Sequence, residues 1–518
     1  MTHLTPEERV LGRENANRAL GVSRRDLLKA AAAAPALGAF YFSYGDMKGK
    51  SAVKAAIIGT GDEGCQAMIR SHNREYLDFI GFCDIRPSQQ DRAVKEFTNH
   101  KDYSAADVKK LKQYATKEEM YADPEVEVVV IALPLWLHAP VAIEAMNKGK
   151  HVFTEKLMGH SVAECKEMCQ VARKTNRLLA VGHQRHYSVL YDNANYLVQN
   201  DVLGDIRHIR ALWHRNNAQP LVAKDKNGNP IYDPKTGLAE YVHDEEGKPV
   251  YRDSWKRVYP ELDKKIDFKK FGYKSLDELI NWRLYNHTGA GLMAELGSHQ
   301  LDACSIFLGK RHPLAVTGIG GTFFYTDGRE VDDHVFTVFE FPGTGEKDRV
   351  VVTYSSINTN SFDGYGEQVM GSRGTMIVSQ EKEILLFKEA GSPAASKSTS
   401  VTLEGQGKKP ALETSPSLAG PTAAAALGGL ATADPSRGYR EELEHFAYCV
   451  RHGNQSDYHA DKDHQPRCRG EVALADAVIA LTSNIAMRQK RRIDFDPRWF
   501  DYQSSETPES SPAIAQRT

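Results

Sequence analysis

Lys54-Ala-Ala-Ile-Ile-Gly59-Thr60-Gly61-Asp62-Glu63-Gly64 opens a unit that closes on Phe79-Ile-Gly-Phe-Cys83-Asp84. An apolar run ends on Gly-x-Gly-x-x-Gly, a helical stretch follows, and a second apolar run ends on an acidic residue. This order predicts a βαβ unit that holds a dinucleotide. Gly59 permits the tight turn and Gly61, after Thr60, lets the backbone approach a pyrophosphate. Gly64 lets the helix pack closely on the strand, and the helix N-terminus favours phosphate charge. Asp84 is placed to accept hydrogen bonds from the adenosine ribose. It would repel a 2′-phosphate, which Arg86 could attract, so the stretch points to NAD with NADP as the alternative. Asp62 and Glu63 stand in the phosphate turn. Their carboxylates are expected to face solvent, because facing a pyrophosphate would oppose binding.

The chain has 518 residues, which exceeds one ordinary core and predicts two domains with appendages. A net charge of −2 gives no basis for nucleic-acid binding or for attraction to anionic lipid. No apolar run is long enough to span a membrane outright. Seven cysteines lack Cys-x-x-Cys spacing, so neither a zinc site nor a disulfide framework is expected. Residues 1–45 carry Ser23-Arg24-Arg25 and then a short apolar run broken by Pro35. A paired arginine before such a run resembles a twin-arginine signal, which predicts export to the periplasm or another extracytoplasmic space. The cleavage site is loose, so an uncleaved anchor is the alternative.

Residues 51–187 read as one nucleotide-binding domain. Helical sequence is expected from 87 to about 120, and 126–133 is an apolar run suited to a buried parallel strand. It ends at Pro134 and His138, where a helix begins. A strand at 151–154 delivers Glu155 and Lys156 at its C-terminal end, where open α/β sheets place ligands. The last strand, 178–181, leads into Arg185, His186 and Tyr187, for which a domain-boundary contact and a catalytic contact stand equal. From 188 to 500 the pattern becomes that of an α/β domain with a mostly antiparallel sheet. It carries insertions at about 216–274, read as an ordered lid or arm, and 391–438, low in complexity. Residues 503–518 read as a disordered tail.

Lys156 sits beside the expected nicotinamide, where a cation holds a substrate hydroxyl and favours its alkoxide-like state. His299 follows Glu295 by one helical turn and precedes Asp302, so either carboxylate is placed to orient its ring. A histidine near neutral pKa suits proton transfer from a secondary alcohol. Trp213, His214 and Arg215 end a strand and are candidates to line a sugar pocket. His183-x-x-His186 and the 458–464 loop lack further ligands at zinc-like spacing, so no metal is expected.

These residues carry a resemblance. Gly59-Thr-Gly61, Asp84, Pro134 with His138, Gly149-Lys-His-Val-Phe-Thr-Glu155-Lys156 and residues 291–302 are similar to the glucose–fructose oxidoreductase, inositol dehydrogenase and rhizopine-catabolism (Gfo/Idh/MocA) family. Leu157 stands where the family signature has proline, and Glu295 where Asp is typical. The resemblance implies a Rossmann domain, then an α+β domain with a large open antiparallel sheet. It implies NAD(P), sugar or polyol substrates, Lys156 as catalytic lysine and His299 as acid/base. Association through the open sheet face as a dimer or tetramer is also implied. Three functions follow as expectations. The first is an exported oxidoreductase acting on a sugar, polyol or glycoside with tightly held nucleotide. The others are a redox-assisted glycoside hydrolase or lyase, and a non-catalytic nucleotide- or sugar-binding protein.

Overall fold

The computed structural model describes residues 4–21, 42, 44–45, 47–243, 245, 247, 249–389 and 437–515. The paired arginines and all but the end of the 391–438 segment lie outside the described residues.

The first sheet is parallel throughout: β1 (Val53–Ile58), β2 (Leu77–Cys83), β3 (Lys112–Gln113), β4 (Val128–Ile131), β5 (His151–Glu155) and β6 (Leu179–Gly182). Its order is β3-β2-β1-β4-β5-β6, so the chain reverses direction across the sheet between β1 and β4. Strands sandwiched by helices must be apolar on both faces, and β4 and β5 are buried along their whole length. The helical reading of 87–120 is corrected. The chain forms helices Pro87–Asn99 and Ala105–Lys110, then the short edge strand β3, then helix Lys117–Ala122. Ser104 and Thr116 each cap a new helix start, which divides what periodicity alone runs together.

The second sheet begins with β7 (Ile206–His214). A small antiparallel pair, β8 (Ala218–Pro220) and β9 (Tyr251–Asp253), lies inside the 216–274 insertion. The sheet continues through β10 (Ala315–Gly321), β11 (His334–Pro342), β12 (Arg349–Ile357), β13 (Tyr365–Gly371), β14 (Gly374–Ser379), β15 (Glu383–Lys388) and β16 (Ile493–Asp494). Its order is β15-β14-β13-β7-β12-β11-β10-β16, with only β7 and β12 parallel. Burial alternates along β11 and β12, as in a sheet covered on one face. Helices Ser298–Phe307 and Gly470–Gln489 cover that face. Gly470–Gln489 is long and apolar enough to cross a membrane, but it is 72% buried inside the protein.

Helix Pro6–Ala19 packs along β15, with Asn15 donating to the Leu386 carbonyl at 3.0 Å. The expected disordered tail is corrected through residue 515. Lys166, buried on helix Val162–Thr175, donates from one ammonium to the carbonyls of Arg498 (2.9 Å), Ser504 (3.0 Å) and Glu506 (2.5 Å). Glu509 accepts from the Val162 amide at 2.7 Å, and Thr507, Ser511 and Ile514 are buried. Composition marked this stretch as polar; three carbonyls held by one buried cation order it. Lys166→Met keeps the stem and removes the donors. It should lower the thermal midpoint by several degrees, since each stranded buried carbonyl costs about 1–3 kcal/mol. Calorimetry showing an unchanged midpoint would contradict this account of the tail.

Candidate active site

Two cavities meet where the strand ends of the first sheet face the second domain. One, of about 510 Å³, is lined by Gly59, Gly61, Asp84, Arg86, Pro134 and His138 among others. The other, of about 720 Å³, is lined by Trp213, Arg215, Trp255, His299 and Tyr439 among others. Both are bordered by Glu155, Lys156, Trp282, Arg283 and Glu295, so one short wall serves the two spaces.

The first cavity fits a dinucleotide. Gly59 has φ +89°, and a Cβ there would sit 2.3 Å from the Ala132 carbonyl oxygen. A Cβ on Gly64 would sit 2.1 Å from the Gly59 oxygen, so strand and helix touch through glycine alone. A Cβ on Gly61 would meet nothing within 4 Å. That open flank is the room a pyrophosphate needs against the backbone. The buried Thr60 donates its amide to Asp84 Oδ2 at 2.7 Å, and the Arg86 amide donates to Oδ1 at 2.8 Å. Oδ2 also lies 3.2 Å from the Thr60 hydroxyl, whereas Oδ1 keeps a lone pair for a ribose hydroxyl.

Three features of this cavity were hidden in the sequence. Arg86, which could attract a 2′-phosphate in the NADP alternative, donates to Asp263 at 2.9 Å. Ser88 holds the same carboxylate through its amide (3.0 Å) and hydroxyl (2.6 Å). Asp62 does not simply face solvent: it pairs with Arg92 (2.6 Å) and Arg257, which hold its carboxyl down to about 2 against the effect of burial. Asp263 and Arg257 both belong to the 216–274 insertion, which also brings Lys270, Phe271 and Tyr273 into the cavity wall. Glu63 lines both cavities and is exposed. Pro134 starts a short turn, and His138 behind it is buried. Its Nδ1 lies 2.7 Å from the Leu157 carbonyl and its Nε2 2.8 Å from that of Leu133. His138 therefore positions the loop that carries Lys156 and leaves little free for a nucleotide. The Lys156–Leu157 peptide is cis.

At the shared wall Lys156 donates from Nζ to the Glu295 carbonyl at 2.9 Å. Glu295 lies on a π-helical turn, Met293–Gly297, and its carboxylate accepts from Arg283 Nε at 2.9 Å. That pairing corrects the reading of Glu295 as the partner of His299. Asp302 is not that partner either: it pairs with His186 at 2.9 Å and Lys310 at 2.7 Å, away from both cavities. His299 keeps an unpaired Nδ1 and packs its ring 5.4 Å from Trp213. Burial and the Lys156 charge hold its pKa well below the usual value, so the ring is neutral and free to accept a proton.

The structure brings Lys156, Glu295, His299 and Trp213 together and excludes four other candidates. Arg185 is buried between Glu367 (2.7 Å) and Glu381 (3.1 Å) and donates to the His299 carbonyl at 2.6 Å. It sets the height of the His299 helix from behind. Tyr187 is buried against His445, and His214 meets the Ser355 hydroxyl at 2.9 Å. Asp302 belongs to a buried group with His183 and Asp476, whose ligand atoms lie within 4.8 Å of one another. Lys310 already places a cation on that group.

Glu155 is buried, and desolvation pushes its carboxyl up from 4.5 to about 8. Between those values the folded chain holds a proton that the unfolded chain has lost, so stability falls as pH rises. Glu155→Gln removes that dependence. The thermal midpoint of the variant should change less from pH 5 to pH 8 than that of the native protein; parallel curves would contradict the assignment.

Two family models match the chain. Residues 53–183 match the oxidoreductase family with an NAD-binding Rossmann fold, and residues 267–377 match the GFO/IDH/MocA C-terminal domain. A glycosyl hydrolase family 109 protein of Shewanella baltica is 27% identical over 225 residues, 37% of this chain and 46% of that protein. The chain thus spans about half the length of such curated relatives. Among solved structures, the WlbA dehydrogenase of Bordetella pertussis, in complex with NADH and UDP-GlcNAcA, superposes with TM-score 0.56 at 13% identity, covering 86% of this chain and 98% of its own. An inositol dehydrogenase homolog of Azotobacter vinelandii, complexed with NADH and myo-inositol, gives the same score, identity and coverage. With both halves matched in order and the strand topology as described, the chain belongs to the Gfo/Idh/MocA oxidoreductase family.

Proposed function

We propose that the protein is an NAD-dependent oxidoreductase that moves a hydride between a carbohydrate hydroxyl carbon and the nicotinamide. The observation that carries this reading is the wall common to the two cavities, at which Lys156 and Glu295 stand. A bound nicotinamide supplies the hydride acceptor. Lys156 binds the substrate oxygen and stabilises the negative charge that develops as the proton leaves. His299, neutral in its buried seat, takes that proton on a ring nitrogen. Trp213, Trp255 and Trp282 offer flat walls for sugar C–H faces and exclude water from the reacting atoms.

The 216–274 insertion supports NAD over NADP and slow exchange of the nucleotide. Asp263 presents a carboxylate where a 2′-phosphate would seek Arg86, and Arg257 on Asp62 closes the insertion over the glycine turn. A retained nucleotide also suits the export that Arg24-Arg25 suggests, since a folded, loaded enzyme would cross the membrane. On this view a second carbonyl substrate reoxidises the nucleotide in place. A redox-assisted glycoside hydrolase is the second reading, favoured by the Shewanella baltica relative. Release of nitrophenol from a nitrophenyl glycoside without net nucleotide reduction would select it. The exposed face of the second sheet carries Ile319, Phe336 and Val338, and we assign it to contact between copies of this chain.

The main test is reduction of bound NAD, read at its near-ultraviolet band, against a panel of sugars and polyols. Lys156→Ala and His299→Ala should each lower the reduction rate by about 100-fold or more while nucleotide stays bound. Rates unchanged in both variants would defeat the mechanism. Asp263→Ala should free Arg86 and shrink the preference for NAD over NADP by about tenfold, measured as the ratio of dissociation constants. Phe336→Glu should reduce subunit number in native mass spectrometry.

A further inference from the structure

Six cationic side chains line the second cavity: Lys156, Arg70, Arg215, Arg257, Arg283 and Arg437. Five are committed. Arg70 pairs with Glu96 at 2.7 Å, Arg283 with Glu295 at 2.9 Å, Arg437 with Glu381 at 2.6 Å, and Arg257 with Asp62. Lys156 donates to the Glu295 carbonyl. Among the described residues, the Arg215 guanidinium has no carboxylate or carbonyl; it lies over the Trp213 ring, 4.7 Å from its centroid. Among the described residues the acidic side chains of the cavity make no direct ion pair with it, although Glu295 and Glu63 act on its charge from a distance, and burial outweighs them. Asp62 and Glu295 are taken by other arginines, Glu155 is uncharged below about 8, and Glu63 is exposed.

A half-buried guanidinium without an anion loses hydration and gains only its contact with one ring. The position is nevertheless rigid. The Arg215 amide donates to the Ile357 carbonyl at 2.9 Å, at the end of β7, and Trp213 is stacked on Tyr365 at 4.6 Å. The same indole faces His299 at 5.4 Å. Arg215 and His299 thus sit on one aromatic plate, on the substrate side; Arg215 does not border the nucleotide cavity.

We propose that Arg215 is a specificity-determining residue that binds the carboxylate of an acidic sugar, a uronate or aldonate. A carboxylate in its planar fork sets the neighbouring carbons of the sugar against Lys156 and His299. One uncommitted guanidinium matches a monoanion through two parallel N–H donors. A phosphate dianion would call for a second unpaired guanidinium, and each of the other four arginines faces a carboxylate, while Lys156 is assigned to the reacting hydroxyl. This inference rests on the carbohydrate oxidoreductase reading and narrows its substrate class.

The test is isothermal titration of NAD-loaded protein with matched probes: D-glucose, D-glucuronate, D-gluconate and D-glucose 6-phosphate, then D-galactose and D-galacturonate. At least one carboxylate should bind about tenfold or more tightly than its neutral counterpart and more tightly than the phosphate ester. The preference should vanish in Arg215→Gln and return in part in Arg215→Lys, with thermal midpoints confirming that both variants fold. Absence of any carboxylate preference in the native protein overturns the proposal, as does a preference that survives in Arg215→Gln or a stronger one for phosphate. NAD titration in the same instrument separates the two claims. A protein that fails to bind NAD loses the oxidoreductase reading, while its charge preference is still measured without nucleotide.

Discussion

The contact between the Lys156 ammonium and the Glu295 carbonyl joins the two halves of the molecule at the point where chemistry is expected. Lys156 is fixed by β5, a strand buried on both faces and unable to shift without disturbing the parallel sheet. Glu295 is fixed by a π-helical turn at the entrance to a helix that packs on β7, β12 and β13. Each sheet alone presents half a site. Together they set a nucleotide-shaped cavity and a polar, tryptophan-walled cavity on opposite sides of one lysine.

Charge pairing around that wall follows a consistent rule. Burial makes every ionised group costly unless it has a partner, and most groups here have one. Arg283 neutralises Glu295, Arg257 and Arg92 neutralise Asp62, and Glu155 avoids the cost by keeping its proton. His299 avoids it by staying neutral, the state that the proposed proton transfer requires. Against that background an uncommitted Arg215 is informative, because the same environment has supplied partners to its neighbours.

How much of this was legible in the sequence depended on distance along the chain. The Gly59–Asp84 unit was readable because its glycines, strand and acidic terminus recur at fixed local spacing, and each occupies the place expected. The strand delivering Glu155 and Lys156 was readable for the same reason. Arg86 lines the nucleotide cavity as expected, but its partner Asp263, which weighs against the NADP alternative, lies 177 residues away, and no local pattern announces such a pair. Asp302 was misread because spacing on a helix says which residues share a face, not which face is inward; of the two alternatives open for Arg185, the domain-boundary contact is the one the structure holds. Asp62, expected to face solvent, instead meets Arg257 of the insertion, at a separation of 195 residues. The tail was misread because polar composition does not reveal a buried lysine that binds three of its neighbourhood's carbonyls.

We place one nucleotide along the glycine turn with its reactive end at Lys156, open to the tryptophan-walled cavity. A crystal structure of the protein grown with NAD tests this most directly. The adenosine ribose hydroxyls should lie within hydrogen-bond reach of Asp84, the pyrophosphate against Gly61, and the nicotinamide beside Lys156, facing His299 across the second cavity. A nucleotide bound in the reverse direction, or a nicotinamide ring turned away from Lys156, would contradict it.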